Sequence, residues 1–196
     1  EILRVFDDGW VNLLFVGRVA PQKRHEDVAK VFYYYRRINP RSRLFFVGAQ
    51  DISHAYRSWL AGLLEQLGIA GDVHFTGHTA HADLLSYYRL ADVFLCLSDH
   101  EGFCVPLVES MHLGVPVVAY SSTAVPYTLG DGGILVHRKD YRAIAELVHL
   151  LVTDQALRDR LIFKGRERAR TFSRDNVERL FAGYLSQALE SWERLS

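Results

Sequence analysis

Two groups of residues in this sequence have the types and spacing for chemistry on a phosphorylated, hydroxyl-rich ligand. The first is Gly17-Arg18, followed after Pro21 by Lys23. Glycine lets the chain turn tightly after a short apolar run, so Arg18 and Lys23 leave from one loop. Arginine offers a planar donor fork and lysine a mobile point charge, a combination suited to oxygens on adjacent phosphates, although two loop cations are as often simply solvated. The second group runs from Ser98 to Glu109 and contains Glu101, Gly102, Phe103, Cys104, Val105 and Pro106. It leaves an apolar run, turns at glycine and enters a helix. Glu101 then lies on the loop and Glu109 about one turn into the helix, so both can face a ligand over the helix N-terminus. Backbone N–H groups of Phe103, Cys104 and Val105 aim partial positive charge at a phosphate there. The carboxylates accept hydrogen bonds from hydroxyls, as recognition of a sugar and a ribose requires. A lone loop glutamate is usually solvated; a pair in this setting, with Arg18 and Lys23 upstream, points to binding.

The elements that must position these residues alternate between short apolar runs and helix-like segments, the βαβ signature. Strands are predicted at Leu13–Val16, Leu44–Val47, Val73–Phe75, Val93–Leu97, Val117–Ala119 and Ile134–Val136. Their continuous apolarity implies burial on both faces. Helices are predicted at His25–Ile38, Tyr56–Leu67, Ala82–Leu90, Pro106–Leu113 and Asp140–Leu151, with crossover lengths suited to parallel pairing. Beyond Thr153 the pattern is helical only, at Gln155–Arg170 and Arg174–Leu195. The expected fold is α/β: a Rossmann-like, doubly wound, mostly parallel six-stranded sheet with C-terminal helices. Both cation and glutamate groups then emerge at the carboxyl edge, where open α/β sheets bind ligands. In the last helix Val177, Leu180, Phe181, Tyr184, Leu185, Ala188, Leu189 and Trp192 recur at three- and four-residue steps. That stripe is longer than packing at one edge of a small sheet demands, so part of it is expected to be exposed; the alternative is that all of it folds onto its own sheet.

A chain of 196 residues with 49% hydrophobic and 23% charged residues suits one soluble domain, residues 1–196, rather than a disordered or membrane-spanning polymer. Its 23 basic and 23 acidic residues cancel, so no global field draws it to nucleic acid or to an anionic membrane, and an anion site must be local. Cys96 and Cys104 lack the sequence spacing of a zinc site or redox pair, and no apolar run has transmembrane length, so a reducing cytoplasm is the expected setting.

Taken in order, Val16-Gly17-Arg18 with Pro21 and Lys23, Phe75-Thr76-Gly77, Ala91-Asp92-Val93, Ser98, Glu101-Gly102-Phe103, Glu109 and Gly114-Val115-Pro116-Val117-Val118-Ala119 resemble the donor-binding domain of glycosyltransferase family 4, the group 1 enzymes. The likeness runs from about Leu13 to Phe172. It implies one half of the GT-B architecture of two facing Rossmann-like domains, with an N-terminal acceptor-binding half as the missing partner. It implies a retaining transferase moving a hexose from a nucleoside diphosphate sugar, without a metal or other cofactor. By resemblance the catalytic residues are Arg18 and Lys23, on the donor diphosphate, and Glu101, on sugar hydroxyls. Glu109 is assigned to the ribose, the backbone of Phe103, Cys104 and Val105 to the phosphates, and the backbone near Gly77, His78 and Thr79 to the base, with Gly17 and Gly102 counted among the donor-binding residues. Val125-Pro126-Tyr127 departs from the pattern, in a segment expected to be a turn. Peripheral membrane association of a longer parent protein stays open.

Other readings are weaker. A non-catalytic module that senses nucleotide sugars uses the same residues. His74, His78 and His81 cluster without an acid or cysteine at ligand spacing and are read as polar loop residues, not a metal site. Tyr33-Tyr34-Tyr35-Arg36-Arg37 is read as a helix end with cations complementing its dipole rather than as an RNA or membrane contact. No G-x-S-x-G elbow, Walker loop or G-x-G-x-x-G is present, which disfavours serine hydrolysis, P-loop chemistry and hydride transfer.

Overall fold

The computed structural model describes residues 2–49 and 54–193. Six strands, β1 (Val11–Val16), β2 (Ser42–Val47), β3 (Val73–Gly77), β4 (Val93–Cys96), β5 (Val117–Tyr120) and β6 (Ile134–Val136), form one sheet. Its order is β3-β2-β1-β4-β5-β6, and every recorded pairing is parallel. The sheet is thus wholly rather than mostly parallel. Apolar runs such as Leu13-Leu14-Phe15 and Phe94-Leu95 are fully buried because helices cover both faces.

The helices are α1 (Ile2–Phe6), α2 (His25–Ile38), α3 (His54–Gln66), α4 (His81–Leu90), α5 (Val105–Leu113), α6 (Val125–Leu129), α7 (Tyr141–Thr153), α8 (Gln155–Arg170) and α9 (Arg174–Glu193). Local chemistry sets their ends. Helix α2 carries Glu26 and Asp27 in its first turn and Arg36 and Arg37 in its last, each sign complementing the dipole, while Val28, Ala29, Val31, Phe32 and Tyr35 form its buried stripe. Asp140 and Asp154 cap α7 and α8 by accepting from Ala143 N–H and Leu157 N–H. Gly114 closes α5 with φ of 77°.

One expectation and one alternative are corrected. Val125-Pro126-Tyr127 opens the short helix α6, because proline sits comfortably in a first helical turn. The alternative that the whole apolar stripe of α9 folds onto its own sheet fails: Val177, Leu180, Phe181, Tyr184, Leu185, Leu189 and Trp192 are all exposed. The end of that predicted helix at Leu195 lies outside the described residues. The tyrosine-arginine run does end α2, as its sequence reading has it, and its cations and their neighbours are largely spent internally. Arg37 stacks on Tyr33, Arg36 pairs with Asp72 at 2.6 Å, and Arg43 pairs with Asp8 between Phe6 and Trp10.

Candidate functional site

The strand order reverses direction between β1 and β4, the topological switch point where open α/β sheets hold ligands. The loop after β1 carries Gly17, Arg18 and Lys23; the loop after β4 carries Ser98 to Cys104. They are joined directly: Asp99 N–H donates to the Gln22 carbonyl at 2.9 Å, and Lys23 Nζ donates to Glu101 Oε2 at 2.7 Å. Two segments 78 residues apart thus place a cation and a carboxylate in contact, with Glu101 6% and Lys23 25% exposed. At such burial a carboxylate is held because it is paired. Arg18 is exposed on the first loop.

Backbone close packing shapes this edge. Gly17 N–H donates to Val47 O, and Gly48 N–H to Gly77 O. Gly48 has φ of 144°, and a Cβ there would lie 2.3 Å from the Gly17 carbonyl oxygen, so only glycine lets β1 and β2 end side by side. Gly77 ends β3 and the exposed His78 follows it at the same edge.

The loop from Ser98 to Cys104 is held from the far side by α6 and by the residues between β5 and α6. Ser122 Oγ donates to Ser98 O at 2.7 Å. Thr123 Oγ1 accepts from Glu101 N–H and donates to Glu101 O. Thr128 Oγ1 donates to Phe103 O at 2.6 Å. Cys104, the N-cap of α5, sits in the left-handed region at φ 65°. Among the described residues, no recorded hydrogen bond takes the N–H of Gly102, Phe103, Cys104 or Val105, so a row of donors stands at the helix N-terminus. Glu109, half-buried on the same helix, accepts from Tyr88 Oη at 2.7 Å. Burial and that carboxylate push the Tyr88 phenol well above its ordinary range, so it stays a donor.

An ionic network absent from the sequence reading braces the site. Asp27, fully buried at the start of α2, meets Lys139 at 2.9 Å, Arg24 at 3.1 Å and Tyr141 at 2.8 Å. Lys139 and Arg24 also reach Asp99, so one network joins the β1 and β4 loops to the segment after β6. Burial raises the Asp27 pKa, but hydrogen bonds from Lys139, Tyr141 and Arg24 outweigh it and hold the carboxyl below its usual value. His25 is fully buried against Phe15 and Phe46; burial, helped by the charge of Lys23, drops its pKa to about 3.

The sequence-predicted residues Gly17, Arg18, Lys23, Glu101, Gly102, Phe103, Cys104, Val105 and Glu109 therefore gather along the two loops and α5, with Gly77 and His78 farther along the edge. Of the histidines, His74 packs against Phe6 and Phe45, whereas His78 and His81 are exposed. The two cysteines, unrelated by spacing, are in contact: their sulfurs lie 3.8 Å apart.

Residues 6–168 match the family model described as glycosyl transferases group 1. Over 182 residues the chain is 33% identical to D-inositol 3-phosphate glycosyltransferase of Thermobifida fusca, a match taking in 89% of this chain and 42% of that protein. It is 27% identical over 180 residues to O-antigen chain mannosyltransferase B of Escherichia coli, covering 89% of this chain and 46% of that one. The chain thus spans less than half the length of these curated relatives. Its fold is similar to that of Anabaena HepE, solved in complex with UDP and glucose, with a TM-score of 0.83 at 19% identity over 95% of this chain and 52% of that one.

Proposed function

The chain belongs to the group 1 glycosyltransferases, and from that premise we propose that it is the donor-binding half of a retaining enzyme that moves a hexose from a nucleoside diphosphate sugar to an acceptor. The observation that carries this reading is the Lys23–Glu101 contact across the switch point, beside the donor-rich N-terminus of α5. A sugar diphosphate needs cations and N–H donors at the phosphates and a carboxylate beside them for the sugar hydroxyls, in that order along one edge.

In this reading Arg18, Lys23 and the backbone of Phe103 to Val105 stabilise the charge that develops on the departing diphosphate. Lys23 takes one oxygen of Glu101, leaving Oε1 to accept from a sugar hydroxyl. Glu109, oriented by Tyr88, accepts from the ribose, and the backbone from Gly77 to Thr79 borders the base. The attacking hydroxyl comes from an acceptor on the other half and approaches the face that the diphosphate leaves, the departing phosphate taking its proton. No metal or other cofactor is required, and a cytoplasmic setting suits a nucleotide-sugar donor. Among the described residues no helix is long and apolar enough to cross a membrane.

Calorimetric titration with ADP, GDP and UDP, each alone and as its hexose conjugate, tests the proposal. One base series is expected to bind. Glu101→Gln is expected to weaken the sugar conjugate more than the free diphosphate, and Glu109→Gln to weaken both. Failure of all three series would sink the donor reading; equal losses for both ligands in both variants would sink the assignment of the two carboxylates.

A further inference from the structure

Cys96, at the end of β4, and Cys104, at the start of α5, are the chain's two cysteines. Both are free and buried. Their sulfurs and a carboxylate oxygen of Glu101 all lie within 4.8 Å of one another. Zinc–thiolate bonds of about 2.3 Å at the tetrahedral angle put two sulfurs on one ion roughly 3.8 Å apart. That is the spacing the two sulfurs hold, 3.8 Å. A disulfide would need them to close to about 2.05 Å. Cys96 is fixed within the sheet, Cys104 is held at a left-handed backbone angle, and Glu101 is pinned through both main-chain polar groups by Thr123, so the three ligands are organised in advance.

We propose that Cys96, Glu101 and Cys104 bind a thiophilic divalent cation of the zinc class. Two thiolates and a carboxylate are a borderline-soft set, unsuited to magnesium or calcium. The charges also balance. With both thiols protonated, Lys23 and Glu101 cancel; when a dication replaces the two thiol protons, the thiolates offset it and the Lys23–Glu101 cancellation stands. The site therefore fills without adding net charge to a buried place. Because the ion takes a carboxylate assigned above to the sugar, donor and cation exclude each other; this second statement rests on the donor reading, whereas the first does not.

Cadmium chloride titrated onto the full chain without nucleotide tests the site, with the ultraviolet sulfur-to-cadmium charge-transfer band as the readout and zinc as the displacing ion. One equivalent is expected. Cys96→Ser and Cys104→Ser, each with its folding checked by circular dichroism, should each lower affinity by more than about tenfold and remove most of the band; Glu101→Gln should weaken binding with the thiolate band retained. No band, or half a band left in each serine variant as independent thiols would give, overturns the site. Excess UDP-sugar, or whichever conjugate the chain binds, should abolish the band; a band that survives overturns the exclusion and leaves the site standing.

Discussion

Arg18 and Lys23 share one assigned ligand but differ in what holds them. Arg18 is exposed, so Arg18→Ala is expected to weaken nucleoside diphosphate binding by about 1.5 to 3 kcal/mol, the range for a charged hydrogen bond, with little change in unfolding. Lys23 also neutralises the buried Glu101, so Lys23→Ala should lose similar affinity and in addition about 1 to 3 kcal/mol of stability by leaving that carboxylate alone. Titration calorimetry with parallel urea unfolding separates the two effects; unchanged affinity in both variants places the diphosphate elsewhere. His25 governs a different measurement. Folded, it remains neutral down to about pH 3, while in the unfolded chain it takes a proton near its ordinary value of 6.5. Between those values the unfolded state binds more protons, so stability falls as pH falls, by up to about 1.4 kcal/mol per pH unit. His74, also lowered, acts in the same direction. Asp27, held below 3.8, adds a loss only at the acid end, as the pH drops through its folded value. Urea unfolding from pH 7 to pH 5 should show the slope, and His25→Leu should remove much of it; an equal slope in that variant would mean that His25 is not held neutral.

At the scale of elements, the carboxyl edge depends on how closely β1 and β2 end together. Gly48→Ala adds a methyl group 2.3 Å from the Gly17 carbonyl oxygen at φ 144°, so it should cost about 2 to 4 kcal/mol and shift Gly17-Arg18, lowering nucleotide affinity as well. Gly71→Ala, with open space around its Cβ, is the matched control and should stay within about 0.5 kcal/mol of the parent chain in the same urea series. Nucleotide affinity unchanged in Gly48→Ala would separate this edge from the site. Among the described residues, all six strands and seven of nine α-helices were legible in sequence, because continuous apolar runs such as Leu44–Val47 and periodic stripes such as Val28 to Tyr35 report burial directly. Helix α1 and helix α6 were not: five residues are too few to express a period. Glu101 and Lys23 were legible as candidates, since charge beside glycine at a strand end is a local signal. Their contact was not, nor was that of Cys96 with Cys104 or the meeting of Asp27, Asp99 and Lys139. The Lys23–Glu101 contact and the Asp27, Asp99 and Lys139 meeting depend on β4 lying beside β1 and on β6 following β5 in the sheet, an order that local patterns do not encode, whereas the cysteine contact depends on how the short loop between β4 and α5 folds back on itself.

At the scale of the molecule, α9 is given a second domain to work against in the proposed half-enzyme. Its 20 residues make a helix about 30 Å long, and the apolar stripe it carries faces solvent, from Val177 at 51% to Trp192 at 72% exposure. A contiguous exposed apolar strip of that size suits an interface. In the proposed enzyme it packs against the acceptor-binding half, which also closes the cleft over Arg18, Lys23 and Glu101. Transfer then depends on two domains holding donor and acceptor in line, positioning that one domain cannot supply. This chain alone is accordingly expected to bind the donor and to leave an acceptor unglycosylated. Removing residues 174–196 should leave urea unfolding and nucleotide binding nearly unchanged, because α9 has no buried side chain among its described residues. The decisive comparison follows labelled sugar from the donor into acceptor, for this chain and for a full-length parent, with slow donor hydrolysis scored separately. Glycosylation by this chain at a rate comparable to the parent would refute the half-enzyme reading. Donor binding without transfer here, and a parent that binds but also fails to transfer any hexose, would instead establish a nucleotide-sugar sensor built on the same edge.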